Sequence, residues 1–163
     1  MNYEALRELF VTELQDLYSA EEKITRSLPR VIKAAHGPKL KQTLHQHHEE
    51  SALHVERLSK VLHRMNEVPI EKTCQAMHVL LHEVEERVRD GGDPEIMDAG
   101  LIAAMQRVEH YEIAAYSSAR TYAEQLGESD AARFLSETLD EEMRADIRLS
   151  QLAHRVNVIR RAA

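Results

Sequence analysis

Four long segments repeat apolar residues at helical spacing, and each puts an ionisable side chain where its apolar stripe should continue. At about 100° per residue, Leu6, Phe10, Leu14, Leu17, Ile24, Leu28 and Val31 share one face of the first segment, with Glu21 at its centre. In the second, Leu40, Leu44, Val55, Leu58, Leu62 and Met65 set the stripe; His47, Ser51 and His54 lie within it and Glu50 at its edge. In the third, Leu101, Met105, Val108, Ala119, Ala123 and Leu126 surround Glu112, with Glu109 near the border. In the fourth, Leu135, Leu139, Leu149 and Ala153 enclose Glu142 and Asp146. Such a chain must bundle its helices to bury the stripes, and must then find partners for the carboxylates buried with them. A metal ion is the partner that gathers several carboxylates at once.

Depth along the helices agrees with the faces. Gly37-Pro38 separates the first and second segments, and Gly127 with Ser129 separates the third and fourth. Glu21 lies 16 residues before Gly37, and Glu50 and His54 lie 13 and 17 after it. Glu112 lies 15 before Gly127, and Glu142 and Asp146 lie 15 and 19 after it. Antiparallel hairpins closed at those turns, rising about 1.5 Å per residue, bring all of these side chains to one layer. The similar spacing of the two hairpins is consistent with a pseudo-two-fold axis near that layer.

Start and stop signals predict helices over residues 3–35, 39–65, 73–89, 94–126 and 130–158 of one domain spanning 1–163. Asp93 suits an N-cap, Pro38 and Pro94 suit first turns, and Gly91-Gly92 ends the third helix. Pro29 predicts a bend near Leu28. The shorter third helix carries Cys74, Met77, Leu80, Leu81, Val84 and Val88 on one stripe and reads as a crossover packed outside the bundle. Two hairpins joined by a long crossover make an all-α, ferritin-like four-helix bundle.

Composition narrows the function classes. Cys74 is the only cysteine, which leaves no intramolecular disulfide and no cysteine-based zinc or iron site within one chain. The net charge of -7, with Arg160-Arg161 the only basic pair near the end, argues against nucleic-acid binding and DNA protection. Neither a membrane span nor a signal-peptide pattern is visible, so a cytoplasmic location without membrane attachment is expected. Redox chemistry would have to rest on carboxylates and imidazoles.

Several stretches carry a family resemblance: DLYSAEEKI over 16–24, HHEESALHVERL over 47–58, CQAM over 74–77, DAGLIAAMQRVEHYEIAAY over 98–116 and ETLDEEMRADIRL over 137–149. On these the chain resembles the bacterial stress-protein family of YciF and YciE, within the ferritin-like superfamily. The resemblance covers nearly the whole chain. It implies a helical bundle, commonly a homodimer, with a two-metal site like those of rubrerythrins. The usual di-iron set takes one Glu from each of two helices and a Glu-x-x-His from each of the others. Here Leu53 and Ala145 stand at the histidine positions, and His47 and His54 lie one turn either side of Glu50. Asp146 is a substitute for the second histidine.

The sequence thus predicts two divalent ions, Fe or Mn, held among Glu21, His47, Glu50, His54, Glu109, Glu112, Glu142 and Asp146, in a protein acting on peroxide or oxygen in catalase-, peroxidase- or ferroxidase-like fashion. His47, Glu109 and Asp146 are candidates either for ligation or for orienting a ligand. Tyr18 and Tyr116 flank the layer, with core packing the favoured role and hydrogen-bond donation to metal-bound carboxylates the alternative. Peroxidase turnover would need an external electron donor. The alternative is a non-enzymatic structural or interaction protein with a metal-free polar core.

Overall fold

The computed structural model describes residues 2–70 and 74–156, and the predicted boundaries at Thr73 and Val158 lie outside them, as do Arg160 and Arg161. Among the described residues five helices follow one another: α1 (Tyr3–Ala34), α2 (Pro38–Arg64), α3 (Gln75–Asp90), α4 (Pro94–Leu126) and α5 (Ser129–Val156). Their ends have local causes. The Asn2 side chain accepts the Glu4 N–H at the start of α1, and Asp93 accepts from Glu95 and Ile96 at the start of α4. Gly127 ends α4 in the left-handed region, at φ 75°, where a Cβ would be strained. Asn66 has the same role after α2, at φ 60°, and the Glu67 N–H returns to the Leu62 carbonyl at 2.9 Å. Pro29 is accommodated within α1, which continues to Ala34.

Pairings across the seams set the topology. Arg7 meets Met65 and Glu67 across α1 and α2, and Gln106 meets Asp146 and Ser150 across α4 and α5, so both pairs are antiparallel hairpins. Across α2 and α5, Glu50 pairs with Arg148, Arg57 with Glu141, and Arg64 with Asp130, again antiparallel. The end of α2 therefore lies far from the start of α4, and the connection with α3 runs back along the bundle. α3 packs on α1 and α4 through Met77, Leu81 and Val84. This is the expected ferritin-like arrangement.

The core is divided. Ile24, Leu28, Leu44, Leu101, Met105 and Leu149 belong to one apolar cluster, and Phe10, Leu14, Leu58, Leu62, Leu135 and Leu139 to another. Between them lie Glu21, His47, Ser51, His54, Glu109, Glu112 and Glu142, all buried. The polar layer therefore crosses the bundle at mid-height, as the spacing to the turns predicts.

One buried carboxylate serves the fold alone. Asp98, on α4, accepts the His36 N–H at 2.8 Å and the Gly37 N–H at 2.6 Å, fastening the α1–α2 turn to the neighbouring hairpin. A Cβ on Gly37 would come within 3.0 Å of that carboxylate. Two bonds to an ionised acceptor are lost in Asp98→Ala, so the variant should unfold about 2–3 kcal/mol more easily in urea. A cost below about 0.5 kcal/mol would mean that the turn holds itself.

Candidate metal centre

Each side of the polar layer is built from one helix face. α1 supplies Glu21; α2 supplies His47 and His54, two turns apart; α4 supplies Glu109 and Glu112, one turn apart; α5 supplies Glu142. Their donor atoms fall into two sets, each within 4.8 Å: His47, Glu109, Glu112 and Glu142 in one, Glu21, His54 and Glu142 in the other. Glu142 belongs to both.

Of the eight residues predicted for the site, six are brought together and two are not. Glu50 accepts from Gln46 at 3.0 Å and pairs with Arg148 at the rim. Asp146, partly exposed, lies 3.2 Å from His110 Nε2 and accepts from Gln106 at 3.4 Å. Glu109, expected near a border, is fully buried because α5 covers that side of α4. His45 is exposed on the outer face of α2.

Glu141, Arg57 and Thr138 were not expected at the site, and for Tyr116 the less favoured of its two expected roles is the one seen. Tyr116 donates to Glu21 Oε1 at 2.6 Å, in addition to packing among Leu58, Ala119 and Leu135. His54 Nδ1 lies 2.9 Å from both Glu21 Oε1 and Glu142 Oε1, while its Nε2 lies 2.9 Å from Glu141 Oε2. Arg57 holds Glu141 with both terminal nitrogens, Nη2 at 3.1 Å from Oε1, and also donates to Thr138 at 3.2 Å. The signal for this arm was His54 and Arg57 one turn apart on α2, facing the adjacent Glu141-Glu142 pair of α5.

Electrostatics distinguish the two sets. Burial opposes charge on His54, but Glu21, Glu141 and Glu142 outweigh it and hold the ring well above its ordinary value. Burial instead dominates at His47 and lowers it. Glu109 and Glu112 are pushed well above the carboxylate range, first by burial and then by the charge of Glu142 and Glu21. At Glu142 burial is overcome by the His54 hydrogen bond and charge, and the carboxyl is lowered. The His54 hydrogen bond, with Arg57 adding to it against partial burial, holds Glu141 at about 2.

A cation fits this donor set. Both oxygens of Glu109 and Glu112, Glu21 Oε2 and both nitrogens of His47 are buried without a hydrogen-bond partner, and Glu142 has His54 Nδ1 beside one oxygen only. Four carboxylates balance the charge of two divalent ions. Oxygen-rich ligation with two imidazoles and no thiolate suits a divalent cation; Cys74 lies apart, 3.2 Å from the Tyr111 hydroxyl.

The family model for a domain of unknown function, DUF892, matches residues 5–162. The chain belongs to this family. Protein YciF of Escherichia coli strain K12 is 42% identical over 154 residues, covering 94% of this chain and 93% of that protein. The crystal structure of the E. coli stress protein YciF matches with a TM-score of 0.89 and 41% identity, over 93% of this chain and 96% of that one. YcfI of Rhodopseudomonas palustris, a proposed structural protein, matches with a TM-score of 0.86 and 37% identity, over 89% and 92% of the two chains. A Xanthomonas campestris protein shares the fold, with a TM-score of 0.75 at 23% identity over 94% of each chain. The family resemblance read from the motifs and the all-helical architecture are both borne out. No helix among the described residues is long and apolar enough to cross a membrane.

Proposed function

We propose that this is a dinuclear iron or manganese carboxylate protein of the stress response that reacts with peroxide or oxygen. The observation that carries the reading is Glu142, a buried carboxylate common to two sets of converging donors. Glu21 and His54 would hold one ion and His47, Glu109 and Glu112 the other, with Glu142 available to both; Glu50 and Asp146 stay at the rim. Two such ions side by side supply the paired one-electron steps that reduction or disproportionation of peroxide requires.

The chain's own residues do the rest. Glu141 orients the His54 ring so that Nδ1 faces Glu21 and Glu142. Tyr116 fixes Glu21 Oε1 by donating a hydrogen bond to it. The apolar clusters on either side exclude bulk water, which strengthens charge interactions in the layer. A homodimer in the cytoplasm with an external electron donor fits peroxidase-like turnover; catalase-like turnover needs no donor.

Metal content and peroxide consumption, measured after loading with iron(II) or manganese(II), test this reading. Glu112→Gln should lower both. If it leaves both unchanged, the site is misassigned. Sedimentation separates a dimer from an iron-storage shell.

A structural reading is favoured by one observation: His54 already pairs with Glu21, Glu141 and Glu142 without a metal. The pH dependence of stability separates the two. The raised values of His54, Glu109 and Glu112 mean that the folded metal-free protein binds their protons more tightly than the unfolded chain. Their contribution is complete below the ordinary values, 6.5 and 4.5, and is lost as pH rises through the folded ones. Glu141 and Glu142 act oppositely; their contribution is present above 4.5 and lost as pH falls through about 2 for Glu141. Metal-free protein should therefore melt progressively lower from pH 6.5 to 9. Metal ions displace those protons, so the gap between loaded and metal-free protein should widen with pH. A gap that is constant over this range would contradict the linkage.

A further inference from the structure

The two halves of the layer differ in what already satisfies them. In the set of His47, Glu109, Glu112 and Glu142, every donor atom is buried; those of His47, Glu109 and Glu112 have no hydrogen-bond partner, and Glu142 Oε1 lies 2.9 Å from His54 Nδ1. His47 Nε2 approaches Glu109 Oε1 only to 3.4 Å. In the other set the His54 ring and Glu21 Oε1 are already engaged, leaving Glu21 Oε2 free. His54 Nδ1 is bonded to Glu21 Oε1, which also receives the Tyr116 hydroxyl, and His54 Nε2 is tied through Glu141 to Arg57 and Thr138. An ion entering there must break the His54–Glu21 bond before it can use either atom. It would also have fewer ligands, three against four.

Both positions are enclosed, with His54 and Glu21 0% exposed, but the second lies directly under a seam that reaches the surface. Glu141 and Arg57, which close the α2–α5 seam over His54, have side chains 21% and 22% exposed. His47 and Glu109 are 2% and 1% exposed.

From these contrasts we infer that the two positions are inequivalent: His47, Glu109, Glu112 and Glu142 form a resident site that fills first, and Glu21, His54 and Glu142 form a second, exchangeable site. The second is held in a self-satisfied state by Tyr116 and by the Glu141–Arg57 arm. This rests on the dinuclear reading and adds to it an order of loading and a position through which a transient ion, such as iron(II) as substrate, comes and goes. Glu141 is a positioning residue in this scheme, acting on the metal through the His54 ring.

Titration of metal-free protein with manganese(II), followed by electron paramagnetic resonance, tests the order. The isolated six-line signal of a single bound ion should grow through the first equivalent. It should give way to the broad signal of a coupled pair through the second. Glu141→Gln, near the surface and nearly isosteric, should weaken the second step about 10–100-fold and leave the first within about twofold. Glu112→Gln should remove the first step. A coupled pair from the earliest addition, or a first step weakened by Glu141→Gln as much as the second, would overturn the assignment. Failure of both positions to bind manganese at saturation would overturn the dinuclear reading itself, a result distinct from a wrong order.

Discussion

Addition of manganese(II) or iron(II) to metal-free protein is expected to raise its melting temperature by at least about 10 °C. An ion that binds only the folded state stabilises it by RT ln(1 + [L]/Kd), about 4 kcal/mol at a thousandfold excess over Kd. Each kcal/mol moves the midpoint of a chain of this size by about 2–4 °C, and there are two ions. The effect should be large because the layer lacks good internal pairing: Glu109 and Glu112 sit beside Glu142 and Glu21 with no cationic hydrogen-bond partner of their own. Calorimetry in a chelating buffer and after metal addition measures the shift. A midpoint that stays within about 2 °C would favour the structural reading, in which protons and His54 neutralise the layer permanently.

The largest effect of a single substitution is expected at Glu142. Glu142→Gln preserves shape and one carbonyl oxygen but removes the carboxylate common to both donor sets. Each ion should lose at least about 100-fold in affinity, and the purified variant should contain neither. Glu112→Gln, by contrast, should chiefly affect the ion on its own side. Metal-free Glu142→Gln should also be about 1–2 kcal/mol less stable, since His54 loses one of three carboxylate neighbours but keeps Glu21 and Glu141. Metal content by mass spectrometry and a chemical melt check the two effects separately. Retention of both ions would remove Glu142 from the bridging role.

Much of this molecule can be read from single-helix patterns, and the remainder depends on contacts between helices. Glu21, His47, His54, Glu112 and Glu142 fall inside apolar stripes, and the wheel finds them because their burial follows from their own helix. Helix limits agree to within two residues wherever they can be compared, because Asp93, Pro38, Pro94 and Gly127 act locally. Glu50 and Asp146 lie where one helix meets the next, and cross-helix neighbours decide their orientation. Arg148 draws Glu50 to the rim, while His110 and Gln106 engage Asp146. Glu109 shows the converse, since α5 buries a position that the α4 stripe alone leaves at a border. Glu141 lies outside the stripe altogether. Its part in the site follows only once α2 and α5 are docked and the second nitrogen of His54 needs a partner.

Anomalous scattering at the manganese and iron edges, from a crystal of metal-saturated protein, tests the dinuclear claim most directly. Two peaks are predicted on either side of the Glu142 carboxylate, one beside Glu21 and His54 Nδ1 and one among His47, Glu109 and Glu112. No peak in the layer, or metal confined to the exposed histidines of α2, would contradict it.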